Sequence, residues 1–381
     1  MAARLGLSVA TGAASVLPGF LVGALALQIR SDLDVRVEAV AAGVSVFFLA
    51  GALTAGWGGR LADHVGAVRA MRWCVLVTAV CLLAAPVLAS SLVVLLLLLA
   101  VAGVSNSVCQ PAINLFVSEE VPQDRQGLGF GIKQSGIPAA ILVSGLALPV
   151  LAIPLGWRAT FALCALGPLA IGLALRRSDS VHVSRRPASR RPSRALVLTA
   201  IGAALATAGP SALGAYLVAS AVDVGIAEGT AGLLAAISSG LSLAVRVMLG
   251  ARADRRRDYG LGTVVVLLAL GSVGFALMAT EVVPSFVAGT LLAFTLGWGW
   301  PGLFNLAVVD SNRETPGSAS GISQTGIYVG AGAGPAAFGA LYASAGHSAA
   351  WLLVAGSTLL AAVVIWLAAR ADQRSRALSA R

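Results

Sequence analysis

The chain has 381 residues, of which 58% are hydrophobic and 11% are charged, and its formal net charge is +10. Soluble domains carry about 25% charged residues, so this composition excludes a water-facing surface and predicts a polytopic protein embedded in a lipid bilayer. The net charge alone would suit a nucleic-acid partner. The basic residues are instead concentrated in alternate connections, as membrane topology requires, so no nucleic acid is expected.

Apolar segments of about 20 residues, the length of helix that crosses a bilayer core, recur along the whole chain. We expect twelve transmembrane helices, at Leu5–Leu27, Val37–Trp57, Ala70–Leu88, Leu92–Val117, Leu128–Val150, Trp157–Leu175, Ala195–Val218, Gly229–Leu249, Gly262–Thr280, Val283–Val308, Ser318–Ala343 and Ser348–Ala369. Six precede and six follow a polar connection with seven arginines, which predicts a flexible basic linker. The expected fold is all-α, with a six-helix lobe over residues 1–175, the linker over 176–194, and a second six-helix lobe with a basic tail over 195–381.

The arginines determine the expected orientation. With the N-terminus inside, the inner loops and tails hold 21 arginines and the outer loops hold three, Arg30, Arg36 and Arg158. Basic loops stay on the cytoplasmic side, so both termini and the linker are expected there. The bias toward Arg, Ala and Gly indicates a GC-rich bacterium and therefore its cytoplasmic membrane.

One heptapeptide occurs twice. Gly131-Ile-Lys-Gln-Ser-Gly-Ile137 returns as Gly321-Ile-Ser-Gln-Thr-Gly-Ile327, 190 positions later. Other pairs keep an offset of 190 to 192, namely Pro111 and Pro301, Gly156 and Gly346, Asp63 and Asp254, and Pro18 and Pro210. Such ordered matches indicate a tandem duplication. Because each half has an even number of expected spans, the repeats should be parallel, with the solute site where they face each other.

A glycine–aspartate motif follows the second expected helix, and part of it follows the eighth. The residues are Gly59, Asp63, Gly66 and Arg69 in the first copy and Asp254 and Arg255 in the second. With the twelve spans and the basic middle linker, this motif resembles the major facilitator superfamily, whose loop between helices 2 and 3 carries such residues. The resemblance implies that the six residues gate the cytoplasmic side. The alternative from the residues alone is a topology anchor with a capped turn.

Lys133 is the only lysine and lies within the fifth expected helix. An ionisable residue inside the membrane is by default a candidate functional residue. One interpretation makes it a ligand of an anionic substrate or counter-ion. The other has it snorkel to the cytoplasmic interface, because it lies only about 8 Å beyond the start of its helix at 1.5 Å per residue. Arg246, near the end of the eighth helix, is expected to snorkel in this way.

Amide and aromatic side chains supply the remaining candidate ligands. Gln134 and Gln324 are repeat mates, so a two-fold axis would place them on opposite walls of one cavity. Helix 4 carries three amides at intervals of four residues, and therefore on one face. The candidates are Asn106, Gln110, Asn114, Trp298, Trp300, Asn305 and Tyr328. The plainer alternatives are interhelical hydrogen bonds for the amides and packing for the tryptophans.

Nothing in the sequence indicates an enzyme or a cofactor. The segment from Gly297 to Gly302 fits a G-x-G-x-x-G pattern, but it lies within a span and follows no strand. The three histidines are far apart in loops and the four cysteines lie in apolar runs, so no metal site is expected. All 16 carboxylates map to loops, tails or helix ends, which leaves no mid-membrane carboxylate as a proton relay.

These observations predict a monomeric secondary transporter that moves a small solute by alternating access. The Lys-Gln-Ser-Gly sequence of the fifth helix resembles bacterial permeases of small anions such as cyanate, which implies an anionic substrate. Efflux of apolar drugs or metabolites is the alternative, favoured by the aromatic tenth helix. The alternative from another class is a non-transporting membrane sensor or scaffold.

Overall fold

A computed structural model describes residues 2–122, 125–175, 193–255, 260–312 and 316–379. Within these ranges every regular element is helical. The α-helices are α1 (Ala2–Ala24), α2 (Ala26–Leu33), α3 (Val37–Val65), α4 (Ala67–Leu88), α5 (Leu92–Glu120), α6 (Gln126–Gln134), α7 (Gly136–Ala147), α8 (Ile153–Cys164), α9 (Leu166–Ala174), α10 (Arg194–Asp223), α11 (Glu228–Arg255), α12 (Leu261–Met278), α13 (Val283–Leu292), α14 (Pro301–Ser311) and α15 (Pro316–Ser379). Two π-helical turns, Leu148–Ala152 and Ala293–Gly297, follow α7 and α13. The predicted linker, residues 176–194, lies almost wholly outside the described residues.

Ten helical stretches in the described part of the chain are long and apolar enough to cross a membrane, as expected of a multi-pass membrane protein. Two of them, Gly127–Ala174 with 48 residues and Gly321–Ala371 with 51, are more than twice the roughly 20 residues that one crossing needs. Each contains a glycine with positive φ, Gly156 at 82° and Gly346 at 84°, where an α-helix cannot continue. The chain therefore changes direction at Gly156 and Gly346, the two glycines that correspond to each other in the internal repeat.

The glycine–aspartate motif is helical where a loop was expected. We placed the end of the second helix at Trp57, but α3 continues to Val65 because no proline interrupts its hydrogen bonds. The turn is confined to Gly66, at φ 90° and ψ 149°, and α4 begins at the next residue. Gly59 is therefore a helix residue. In the second half, α11 likewise passes the expected end at Leu249 and reaches Arg255.

Buried apolar side chains form three clusters among the described residues. One lies within residues 5–175, here called the first half, and one within residues 196–365 of the second half, which runs over residues 193–379. The third contains side chains of both halves, including Phe20 and Phe47 of the first and Tyr216 and Trp298 of the second. The halves thus share an apolar interface. Large apolar side chains also cover the outside of the bundle, with Leu53 88% and Val87 81% exposed, as a lipid-facing surface requires.

Glycines bring α10 and α15 into backbone contact. A Cβ added at Gly326 would lie 2.1 Å from the Ala200 carbonyl oxygen, and one at Gly330 would lie 1.9 Å from that of Ala204. Gly334 meets Ala208 in the same way one turn later. Small residues at intervals of four on both helices are typical of close helix pairs in membranes.

Gly330→Ala tests this contact. The added methyl group has no space beside the Ala204 carbonyl, so the helices must separate, and we expect the free energy of unfolding to fall by about 1–3 kcal/mol. The matched control is Gly356→Ala, because an added Cβ there meets no atom within 4 Å and alanine favours helix. Melting temperatures of the two detergent-purified variants measure the difference. Equal values would contradict the packing described here.

Candidate functional site

Polar contacts identify which helix ends share a face of the bundle. The Arg158 guanidinium forms an ion pair with Asp32 and donates to the Ala89 carbonyl oxygen at 3.3 Å. The end of α2, the end of α4 and the turn at Gly156 therefore lie together, on what we call the opposite face. The starts of α1 and α6 lie at the other end of the bundle, where Leu5 shares a buried cluster with Val121, and Val121 lies beside Gly129 of α6. We call this end the N-terminal face.

Asp254 caps a helix of the other half at the N-terminal face. Its two carboxylate oxygens accept hydrogen bonds from the backbone N–H groups of Gly127 and Leu128, both at 2.9 Å. These N–H groups belong to the first turn of α6, where no intrahelical acceptor exists and negative charge is stabilised. The approach is close: a Cβ at Gly250 would lie 2.7 Å from the Gly127 carbonyl oxygen. One carboxylate of the second half thus holds the start of a first-half helix.

The other predicted gating residues are placed differently. Gly59 lies within α3 with open space around it, and Gly66 forms the turn. Arg69 and Arg255 are exposed. The side chain of Asp63 lies outside the described part, so the first-half counterpart of the Asp254 contact stays a prediction.

Asp254→Ala should release the start of α6. Loss of a helix cap costs about 0.5–2 kcal/mol, and here the two freed amides also lose a contact between the halves. We expect faster hydrogen exchange in the peptide that contains Gly127 and Leu128, measured by mass spectrometry. Asp34→Asn is the control, because Asp34 is an exposed carboxylate next to the opposite face and Asn tolerates its positive φ of 51°. Unchanged exchange in Asp254→Ala would contradict the capping role.

Arg246 joins the halves deeper in the bundle. Its side chain is 1% exposed. Nε and Nη2 donate to the Trp298 carbonyl oxygen at 3.0 and 2.7 Å, and Nη1 donates to the Gln134 carbonyl oxygen. The guanidinium carbon also lies 5.3 Å from the centre of the Trp298 ring system. Arg246 of the second half therefore binds the backbone of the first.

The expectation that Arg246 snorkels to the interface was wrong. The helix continues nine residues beyond it, to Arg255, which is about 14 Å at 1.5 Å per residue. Two helix breaks also supply acceptors close by. Pro138 lacks the N–H that the Gln134 carbonyl would accept in a continuous helix, and Trp298 leaves helical geometry at φ −121° and ψ 7°. The guanidinium satisfies carbonyls that the breaks leave free.

Lys133 is also buried, with 4% of its surface exposed. Its Nζ donates to Oε1 of Gln134 at 3.4 Å. It lies on the last turn of α6, immediately before the break at Ser135. The side chain does not reach the surface of the bundle.

A hydrogen-bonded group of side chains joins α1 and α5. The Ser15 hydroxyl donates to Oδ1 of Asn106 at 3.0 Å, and Nε2 of Gln110 lies 3.4 Å from both. The Tyr328 hydroxyl of α15 donates to the Asn106 backbone carbonyl oxygen at 3.5 Å, which adds the second half. The sequence interpretation missed Ser15. The sequence does contain a pattern that indicates it, because Ser8, Thr11 and Ser15 are spaced by three and four residues and so share one face of α1. All three are fully buried in the structure.

The comparison with protein families decides the identity of this two-half bundle. The sequence model described as the Major Facilitator Superfamily matches residues 7–204 and, in a second match, residues 199–381. The chain belongs to the Major Facilitator Superfamily. None of the curated proteins compared with it gives a significant match. Members of this superfamily are secondary transporters, not enzymes, and bind small solutes within the membrane, so this chain is a secondary transporter.

The remaining predicted ligands of this superfamily member differ in their burial and packing. Asn114, Gln324 and Asn305 are half-buried, and Oδ1 of Asn114 is a buried acceptor with no hydrogen-bond partner among the described residues. Trp300 packs against Phe304 in the cluster of the second half, with ring centres 5.2 Å apart. Trp298 and Trp300 thus differ: Trp298 faces the first half through Phe20, whereas Trp300 is a core residue.

The electrostatic balance of the interior is uneven. Lys133 and Arg246 are buried, whereas every described carboxylate side chain is exposed or half-buried. Burying a cation without an opposite charge is costly. Among the described residues, the two buried cations therefore have no buried carboxylate to offset their charge.

Replacing Arg246 by Met tests its role in joining the halves. The Trp298 and Gln134 carbonyls would lose their donors, and each buried unsatisfied group costs about 1–3 kcal/mol. We expect a clear fall in melting temperature for Arg246→Met and a smaller one for Arg246→Lys, which keeps one donor group. Arg370→Met, at an exposed arginine stacked on Trp366, should leave the melting temperature nearly unchanged. Equal melting temperatures of Arg246→Met and Arg370→Met would contradict the role of Arg246 in joining the halves.

Proposed function

We propose that this protein transports a small anion by alternating access, with Lys133 and Arg246 as the cationic ligands. The observation that carries the proposal is the burial of these two cations with no described carboxylate buried beside them. A bound anion would offset both charges in a region from which water is largely excluded. Gln134, which accepts hydrogen bonds from both cations, and the buried amide of Gln110 would donate or accept hydrogen bonds around the anion.

The proposed architecture has twelve spans in two parallel six-helix lobes, residues 1–175 and 195–381. The direction changes at Gly156 and Gly346 support it, because each divides a stretch of 48 or 51 residues into two lengths that each suit one crossing. The excess of arginine in alternate connections favours cytoplasmic termini in a bacterial cytoplasmic membrane. The N-terminal face would then be the cytoplasmic side.

Two contacts between the lobes would form the cytoplasmic gate. The Asp254 carboxylate holds the start of α6, and Arg246 holds the Gln134 carbonyl at the end of the same helix. Opening toward the cytoplasm has to break both contacts. An anion that binds the Arg246 guanidinium competes with the Gln134 carbonyl for its N–H groups, so solute binding would loosen the gate. This gives the ligand a differential affinity for the two states, which any ligand-driven change requires.

Thermal-shift measurements test the proposal. We would compare wild type, Lys133→Gln and Arg246→Lys in sodium cyanate, sodium formate and tetraphenylphosphonium chloride, with Arg30→Gln, an exposed arginine, as the control. A ligand that binds only the native state at about 100 times its Kd stabilises it by about 2.7 kcal/mol. We expect cyanate or formate to stabilise wild type and Arg30→Gln, and to lose this effect in Lys133→Gln.

Efflux of an apolar compound is the second candidate, and a specific feature favours it. A narrow cleft lies between the halves and is lined mainly by apolar side chains, including Phe20, Ile141, Leu213 and Leu217. If tetraphenylphosphonium stabilises wild type and Lys133→Gln equally and neither anion does, the anion proposal is wrong and apolar efflux replaces it.

A further inference from the structure

Three serines of α11 have buried hydroxyl groups that make no hydrogen bond to any described residue. Ser238, Ser239 and Ser242 are fully buried, and the Oγ atom of each lacks a partner. In the first half the buried hydroxyls of Thr11 and Ser45 also lack a partner, but they lie on two different helices. By contrast, the hydroxyls of Ser144, Thr207 and Thr290 donate to the carbonyl four residues earlier in their own helices, at 2.7 to 2.8 Å. An unsatisfied buried hydroxyl is costly, so three on one helix call for a ligand.

The serines lie between the cleft and the buried arginine. Ala235, Ser239, Ser242 and Arg246 follow one another at intervals of four, three and four residues, and therefore share a face of α11. Ser238 lies beside them, four residues before Ser242. Ala235 lines the narrow cleft between the halves, together with Phe20, Ile141 and Ser144. From Ala235 to Arg246 the face extends about 16 Å along the helix axis at 1.5 Å per residue, roughly half the bilayer core.

We infer that Ser238, Ser239 and Ser242 form a hydroxyl path that binds a small hydrogen-bond-accepting anion, of the carboxylate type, on its way between the cleft and Arg246. This inference rests on the proposed anion transport and names the residues that conduct the solute. Each hydroxyl donates one hydrogen bond and so replaces part of the hydration that the anion loses. Because the hydroxyls are neutral, they bind the anion only weakly. Weak binding is needed because a transported ion must leave each site as well as enter it.

The Arg246 guanidinium and the three serine hydroxyls would bind the anion in different ways. Arg246 already has the Trp298 and Gln134 carbonyls as acceptors, so an anion arriving along the serines replaces partners that are in place. The three serine hydroxyls have no such partners to replace. Their contribution should therefore appear in the affinity for the anion, and their removal should not lower the stability of the empty protein.

The test is transport of formate by the full chain reconstituted in liposomes, measured as uptake of radiolabelled formate. We expect the double variant Ser239→Ala/Ser242→Ala to raise the KM for formate at least tenfold, which corresponds to about 1.4 kcal/mol. Its melting temperature without formate should equal or exceed that of wild type, because the substitution removes unsatisfied hydroxyls. Ser272→Ala is the matched control: the Ser272 hydroxyl donates to the Ala269 carbonyl oxygen at 2.7 Å, and its loss should leave KM unchanged.

The outcomes separate this inference from the proposed function. Formate uptake that is lost in Lys133→Gln but keeps the wild-type KM in Ser239→Ala/Ser242→Ala would overturn the hydroxyl path and leave anion transport intact. A double variant that melts well below wild type would show that the hydroxyls stabilise the fold, which also overturns the path. Wild-type liposomes that take up tetraphenylphosphonium and no formate would overturn both.

Discussion

A buried guanidinium must keep its N–H groups occupied, and the centre of this protein is arranged around that requirement. In continuous α-helices the backbone carbonyls are already bonded and have little to offer a side chain. Here α6 ends at Gln134, and the chain leaves helical geometry at Trp298. Both interruptions lie beside Arg246. Each free carbonyl would be costly in a membrane without the guanidinium, and the guanidinium would be costly without the carbonyls.

Glycines make this arrangement sterically possible. A Cβ at Gly131 would lie 2.9 Å from the Arg246 carbonyl oxygen, and one at Gly302 would lie 3.3 Å from the Gly131 Cα. The backbones of α6, α11 and α14 therefore approach one another more closely than side chains would allow. This approach brings the Gln134 carbonyl, at the end of α6, and the Trp298 carbonyl, three residues before α14, within reach of Arg246 on α11. The contacts between the halves thus depend on residues that carry no functional group.

The sequence predicted the features that depend on composition and local pattern. Apolar segments predicted the membrane helices, and the repeat paired Gly156 with Gly346, which share the same unusual backbone geometry. Asp254 was singled out by its motif, but its partner lies 127 residues away and required the tertiary structure. The depth of Arg246 was misjudged because helix length was inferred from apolar residues alone, and α11 continues through its polar end. The serines of α11 gave no signal, since serine is common in membrane helices and only packing decides whether its hydroxyl finds a partner.

In the polar contacts that Asp254 and Arg246 make between the halves, one half contributes side chains and the other contributes backbone groups. Asp254 and Arg246 contribute side chains from the second half, whereas Gly127, Leu128 and Gln134 of the first half contribute only backbone N–H and C=O groups. A backbone group is present whatever the residue, so the first-half partners do not have to change in step with the second. Only proline, which lacks the N–H, or added bulk at Gly127 would abolish the capping contact from that side. Related sequences would therefore show fixed residues in one half and no covariation at these contacts, and methods that infer contacts from paired substitutions would overlook them.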